Sequence, residues 1–120
     1  PAVDLVNALY CFLSDENRQN RRDEFIACYH QQFVDSLKLF GYLKAPPSLN
    51  DLQIEMQRNG HLQATLAICL HYMTIIDPSE LPANFLSKGQ QEFKRKVFRK
   101  DFFIEFLRKE LPRFFYSGFL

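Results

Sequence analysis

Between residues 18 and 40, large side chains recur at spacings of four and three. Phe25, Tyr29, Phe33, Leu37 and Phe40 form one stripe, and Ile26, Cys28 and Val34 widen it. Positions so spaced return to the same side of an α-helix, so the run predicts one amphipathic helix over 18–40. Arg21, Arg22, Asp35 and Lys38 occupy the other side, and Gly41 supplies the left-handed residue that commonly ends a helix. A helix carrying so many rings on one face must pack against something large.

The rest of the chain reads the same way. A first helix is predicted over 3–13, with Leu5, Leu9, Phe12 and Leu13 on one face and Val6 and Tyr10 beside them. Ser14, Asp15 and Asn17 end it and offer caps for the next. After Pro46-Pro47, the run Ser48-Leu49-Asn50-Asp51 resembles a capping box with Asp in place of Glu. It opens a third helix to Asn59, with Leu49, Leu52 and Met56 as its apolar face and Gly60 as its stop. Residues 62–76 are apolar nearly all round, which predicts a central, buried helix ended by Asp77-Pro78. Residues 77–89 hold Pro78, Ser79, Pro82, Ser87 and Gly89 and read as a loop. A final helix is expected over 91–116, with Phe102, Phe103, Phe106 and Leu107 buried and Pro112 bending it or starting a new turn. No long segment alternates strictly and no hairpin dipeptide occurs, so the expectation is an all-α chain, one helical segment over 1–120.

Composition narrows the class. Hydrophobic residues are 47% and charged residues 24% of the 120, which excludes a disordered chain. With 13 Phe, 5 Tyr and no Trp, packing must use many flat rings. No run approaches the ~20 apolar residues of a membrane span, and no secretory signal pattern is present. Pro1 reads as an internal cut, with a processed start as the alternative. Cys11, Cys28 and Cys69 are odd in number and widely spaced, so they are expected as buried free thiols in a reducing, cytoplasmic setting.

The search for chemistry yields little. Gly41, Gly60, Gly89 and Gly118 are isolated, unlike the clustered glycines of a phosphate loop. His30, His61 and His71 lack a His or Cys at helical spacing, so no metal ligand is assigned; His71 is expected as a hydrogen-bonded core residue. There is no Gly-x-Ser-x-Gly elbow and no His-x-Asp loop, and Asp101-Phe102-Phe103 lies in mid-helix. No catalytic or cofactor-binding residue is therefore expected in this chain. Charge is uneven: residues 1–87 hold six Lys/Arg against ten Asp/Glu, residues 88–120 nine against four. Lys94, Arg95, Lys96, Arg99, Lys100, Arg108, Lys109 and Arg113 could meet phosphates. Acids dilute them, with Glu105 expected to pair with Lys109, so a solvated helix face is the preferred reading and no nucleic-acid partner is assigned. Asp4 stands in an apolar helix start, either as an exposed cap or as a buried anchor for a neighbouring loop.

One pattern spans the chain. Pro1-x-x-Asp4-Leu5, Tyr29-His30, Phe40-Gly41-Tyr42, Pro47-x-Leu49-x-Asp51-Leu52 and Leu111-Pro112-x-Phe114-x-x-x-Gly118-x-Leu120 occur in that order. Together they resemble the C-terminal part of insect ecdysteroid kinase-like proteins, also called choline/ethanolamine-kinase-like or CHK kinase-like, which are similar to aminoglycoside phosphotransferases. The resemblance implies the C-terminal part of the large lobe of a protein-kinase-like fold whose N-terminal part is absent. Mg and ATP are implied for the full-length family, with catalytic and metal-binding turns upstream of the Pro-x-x-Asp-Leu segment. It further implies a small lipophilic acceptor, with Tyr10, Tyr29 and Tyr72 as candidates for its pocket, and makes Asp4 a scaffold for the catalytic loop. Asn7 and Ala8 depart from the larger apolar residues of the pattern. The rival reading is a non-enzymatic helical interaction domain with a basic last helix.

Overall fold

A computed structural model describes residues 1–81, 83 and 90–120, with Ile75 and Gln90 described by their backbone alone. The helices are α1 (Ala2–Cys11), α2 (Asp15–Asn20), α3 (Arg22–Leu39), α4 (Leu49–Arg58), α5 (Gly60–Cys69), α6 (His71–Ile75), α7 (Gln90–Val97) and α8 (Asp101–Tyr116). The fold is all-α, with no strand among the described residues. Pro78–Glu80 form one 3₁₀ turn, begun by the Asp77 carboxylate accepting the Ser79 N–H at 2.8 Å. Pro82, Ser87 and Gly89 of the expected loop lie outside the described residues.

Helix α1 organises the core. Ala2, Leu5, Val6, Leu9 and Tyr10 are buried, a broad stripe that lets α1 pack against α3, α4, α5 and α6. Helix α8 closes the far side against α5 with Phe103, Phe106 and Phe114. Phe12, expected on the buried face, is 84% exposed, because α1 ends at Cys11 and the turn to α2 swings its side chain outward.

Three expected helices are divided. Arg21 (φ −126°, ψ 18°) separates α2 from α3, so Arg18 enters the core while α3 runs along the outside. Leu70 (φ −123°, ψ −32°) separates α5 from α6 and sets the imidazole of His71 inside. In the final region the break falls at Lys100 (ψ 137°), and Pro112 is carried within α8. Helix α5 is less central than its composition suggests, since Cys69 is exposed and Leu70 partly so.

Caps follow the sequence more closely. Ser48 and Asp51 form the reciprocal box: Ser48 Oγ accepts the Asp51 N–H at 3.1 Å, and Asp51 Oδ2 accepts the Ser48 N–H at 2.8 Å. Gly41 (φ +74°) ends α3 with bonds from the Gly41 N–H to Lys38 O and from the Tyr42 N–H to Leu37 O. Gly60, expected as a stop, instead begins α5 beside the Phe119 ring: a Cβ there falls 2.0 Å from Phe119 Cδ1. Gly60→Ala should therefore push Phe119 off its seat against Phe114, at a cost of about 1–3 kcal/mol in denaturant melting. A stabilised protein, as helix preference alone gives, would show that the ring yields freely.

The described chain is flat, 51 × 32 × 22 Å, with a radius of gyration of 16.9 Å. A compact domain of this length has about 14 Å. The described residues cover the predicted stripe only in part: Ile26 is buried, Phe25, Tyr29, Phe33 and Leu37 are half-buried, and Phe40 is 85% exposed, as are its off-stripe neighbours Leu39 and Leu43 at more than 80%.

Candidate functional site

The sequence-derived candidates lie on α1, α3 and α6. Asp4 projects from the first turn of α1 with its side chain 79% exposed. Tyr29 is half-buried on α3 and donates to Pro1 O at 3.2 Å. Tyr72 is buried on α6 among Phe93, Phe98 and Phe103, and its hydroxyl has no hydrogen-bond partner among the described residues. Tyr10 is buried at the centre of the molecule. An apolar cavity of about 300 Å³ between α1, α3 and α4 is lined by Val3, His30, Phe33, Pro47 and Leu52, among others. His30 Nε2 meets Pro47 O at 2.8 Å along its wall.

What the fold does gather is a buried polar chain that joins α1, α2, α6 and α8. Glu110 is 3% and Arg18 2% exposed. Arg18 donates from Nε to Glu110 Oε1 at 3.4 Å and from Nη2 to Asp15 Oδ1 at 2.5 Å. Its guanidinium lies between the rings of Tyr10 and Phe106, 4.9 and 5.2 Å from their centroids. The other Glu110 oxygen accepts from the Tyr10 hydroxyl at 3.3 Å and from Arg113 Nε at 3.0 Å. Arg113 also donates to the Tyr10 hydroxyl. His71 Nδ1 meets Tyr10 O and Nε2 meets Asp15 Oδ1, both at 2.8 Å. Both ring nitrogens therefore face oxygen atoms of α1 and α2. His71 is thus the hydrogen-bonded core residue expected of it, closed to any substrate.

The electrostatics follow from this packing. Burial works against ionisation of Asp15, but the bonds from His71 and Arg18 outweigh it and hold the carboxyl below its usual range. Burial, reinforced by the charge of Glu110, raises Tyr10 from 10.0 to about 12, although Arg113, Arg22 and Arg18 oppose it. A raised acid gives stability that is complete below pH 10 and lost as pH rises through 12. The gap of about two units corresponds to about 2.7 kcal/mol. Denaturant midpoints from pH 8 to 12 should therefore fall more steeply for the native protein than for Tyr10→Phe; parallel curves would contradict the assignment.

Beside this chain opens a cavity of about 280 Å³ between α2, α3 and α8, lined by Arg18, Gln19, Arg22, Lys109, Glu110 and Arg113. Glu105 pairs with Arg108 at 2.5 Å instead of the expected Lys109. Elsewhere in the basic tail, Lys96 pairs with Glu92 and Lys100 with Glu80, so much of it is an ion-paired face. The three thiols are free, but Cys28 and Cys69 are exposed and Cys11 half-buried: each falls at the margin of an apolar face instead of in the core. Among the described residues no three His, Cys, Asp or Glu side chains could together hold a metal ion. None of the described helices is long and apolar enough to cross a membrane.

Sequence reasoning missed Arg18 and Glu110. Glu110 had a signal, since it interrupts the stripe Phe103, Phe106, Phe114 at helical spacing. Arg18 had none, because its neighbours in α2 are all polar. Among family models, that of the ecdysteroid kinase-like family matches residues 1–42, which covers α1, α2 and α3. No curated protein and no solved structure matches the chain.

Proposed function

We propose that this chain forms the C-terminal helical part of the large lobe of a small-molecule phosphotransferase, which moves the ATP γ-phosphate to a hydroxyl of a steroid-like or other lipophilic acceptor. The observation that carries the reading is the family match over residues 1–42. The all-α architecture is consistent with it. The extended shape and the exposed Leu39, Phe40 and Leu43 at the end of α3 support a chain built to pack against more of the same domain. Catalysis then depends on a His-x-Asp loop and a metal-binding turn, and neither motif occurs in these 120 residues. This chain supplies the wall and floor of the lobe, with Asp4 bracing the catalytic loop.

The test is transfer of labelled γ-phosphate from Mg–ATP to a sterol alcohol. A polypeptide that joins this chain to its ATP-binding lobe should form the phosphate ester, and the 120 residues alone should not. Saturable transfer by the 120 residues alone would overturn the division of roles.

A further inference from the structure

The cavity between α2, α3 and α8 is lined by four cations and one carboxylate. That carboxylate is already committed: Glu110 accepts Arg18 on one oxygen and Tyr10 and Arg113 on the other. Arg22 is half-buried and donates to neutral Gln63 Oε1 at 2.7 Å, and among the described residues it forms no ion pair. Lys109, exposed at the cavity mouth, likewise forms none among the described residues. Two positive charges therefore face one space without an ion pair among the described residues, and the nearby Glu110 is shared by other donors. A cation taken partly out of water is costly unless an anion offsets it. Burial, and after it the charge of Arg113, lower the Arg22 pKa, although the charges of Tyr10 and Glu110 and a hydrogen bond with Tyr10 work the other way.

We propose that this cavity binds a phosphate-class dianion, either free phosphate or the phosphate group of a small phosphomonoester. Two unmatched cations call for two negative charges, which a single carboxylate does not supply. The planar guanidinium of Arg22 suits paired phosphate oxygens, Arg113 adds charge beside it while its Nε and Nη2 stay on Glu110 and Tyr10, and Lys109 adds a mobile point charge at the rim. The volume of about 280 Å³ lies near the lower end of small-molecule pockets, roughly 300–1,000 Å³, so it leaves room for a few atoms beyond the phosphate. The site rests on this chain's own geometry and does not depend on the phosphotransferase reading.

The test is calorimetric titration and thermal melting of the 120-residue chain with inorganic phosphate, with glycerol 3-phosphate, and with potassium chloride at matched ionic strength. Phosphate or its ester should bind saturably and raise the melting temperature, as a ligand of the folded state must. Chloride should not. Lys109→Met, at an exposed position that leaves the fold intact, should weaken binding at least about tenfold, as should Arg22→Gln. Lys96→Met, a basic-tail change outside the cavity, should leave affinity unchanged. Tighter binding of the ester identifies the ester as the ligand; equal or weaker binding identifies free phosphate. An equal response to chloride, absence of saturation, or unchanged affinity in Lys109→Met would overturn the site.

Discussion

Replacing Glu110 by Ala should cost about 3–5 kcal/mol, comparable to the whole stability of a small domain. Glu110 is 3% exposed and is the acceptor shared by Arg18, Arg113 and Tyr10. Its removal leaves Arg18, itself 2% exposed, with Asp15 as its remaining ion-pair partner. The loss comes from stranded donors more than from the attraction removed, because the pair already pays for its own desolvation. The double replacement Arg18→Met with Glu110→Leu should therefore recover most of the stability by turning the seam apolar. Denaturant melting of the three proteins checks this. A Glu110→Ala loss below about 1 kcal/mol, the range of an exposed pair, would show that water reaches the cluster.

The reasons for that buried seam were only partly legible in the sequence. The helical periodicity of α1, α3, α4 and α8 is visible because it depends on local spacing. The Ser48–Asp51 box and the Gly41 terminus are local as well and appear as expected. The breaks at Arg21, Leu70 and Lys100 were not legible, since no Pro or Gly stands at any of them. They arise because tertiary packing pulls Arg18, His71 and Phe103 inward, and packing routinely overrides local preference. That Lys109 has no acid partner among the described residues was hidden for a similar reason: Glu105 can reach either i+3 or i+4, and Arg108 takes it. The scaffold role proposed for Asp4 came only from the family resemblance, since nothing in this chain's own spacing marks the residue.

In the intact phosphotransferase proposed above, Asp4→Asn should lower turnover by at least about tenfold. The carboxylate stands on the first turn of α1, 79% exposed in this chain and thus open to amides from another segment. Asn keeps the shape but removes the charge and turns one acceptor into a donor. A charge-assisted hydrogen bond contributes on the order of 1.5–3 kcal/mol, and about 1.4 kcal/mol in the barrier is a factor of ten. The catalytic loop would then be held less well, and phosphoryl transfer depends chiefly on positioning. ATP affinity should change little, because Asp4 touches no nucleotide atom in this arrangement. If Asp4 only favours the helix start, Asn serves nearly as well and turnover stays constant. Steady-state kinetics of the two proteins decide.

That this chain is one part of a larger helical lobe is tested most directly by hydrophobic-dye fluorescence during thermal melting of the 120 residues, followed alongside by far-ultraviolet circular dichroism. Phe12, Leu39, Phe40 and Leu43 are each more than 80% exposed, an apolar surface that a self-sufficient domain rarely leaves open. The expected result is a helical spectrum, dye bound before melting begins, and loss of that dye signal when the chain is joined to the rest of its lobe. A sharp two-state melt with no dye bound at any temperature below it would instead mark an autonomous helical interaction domain.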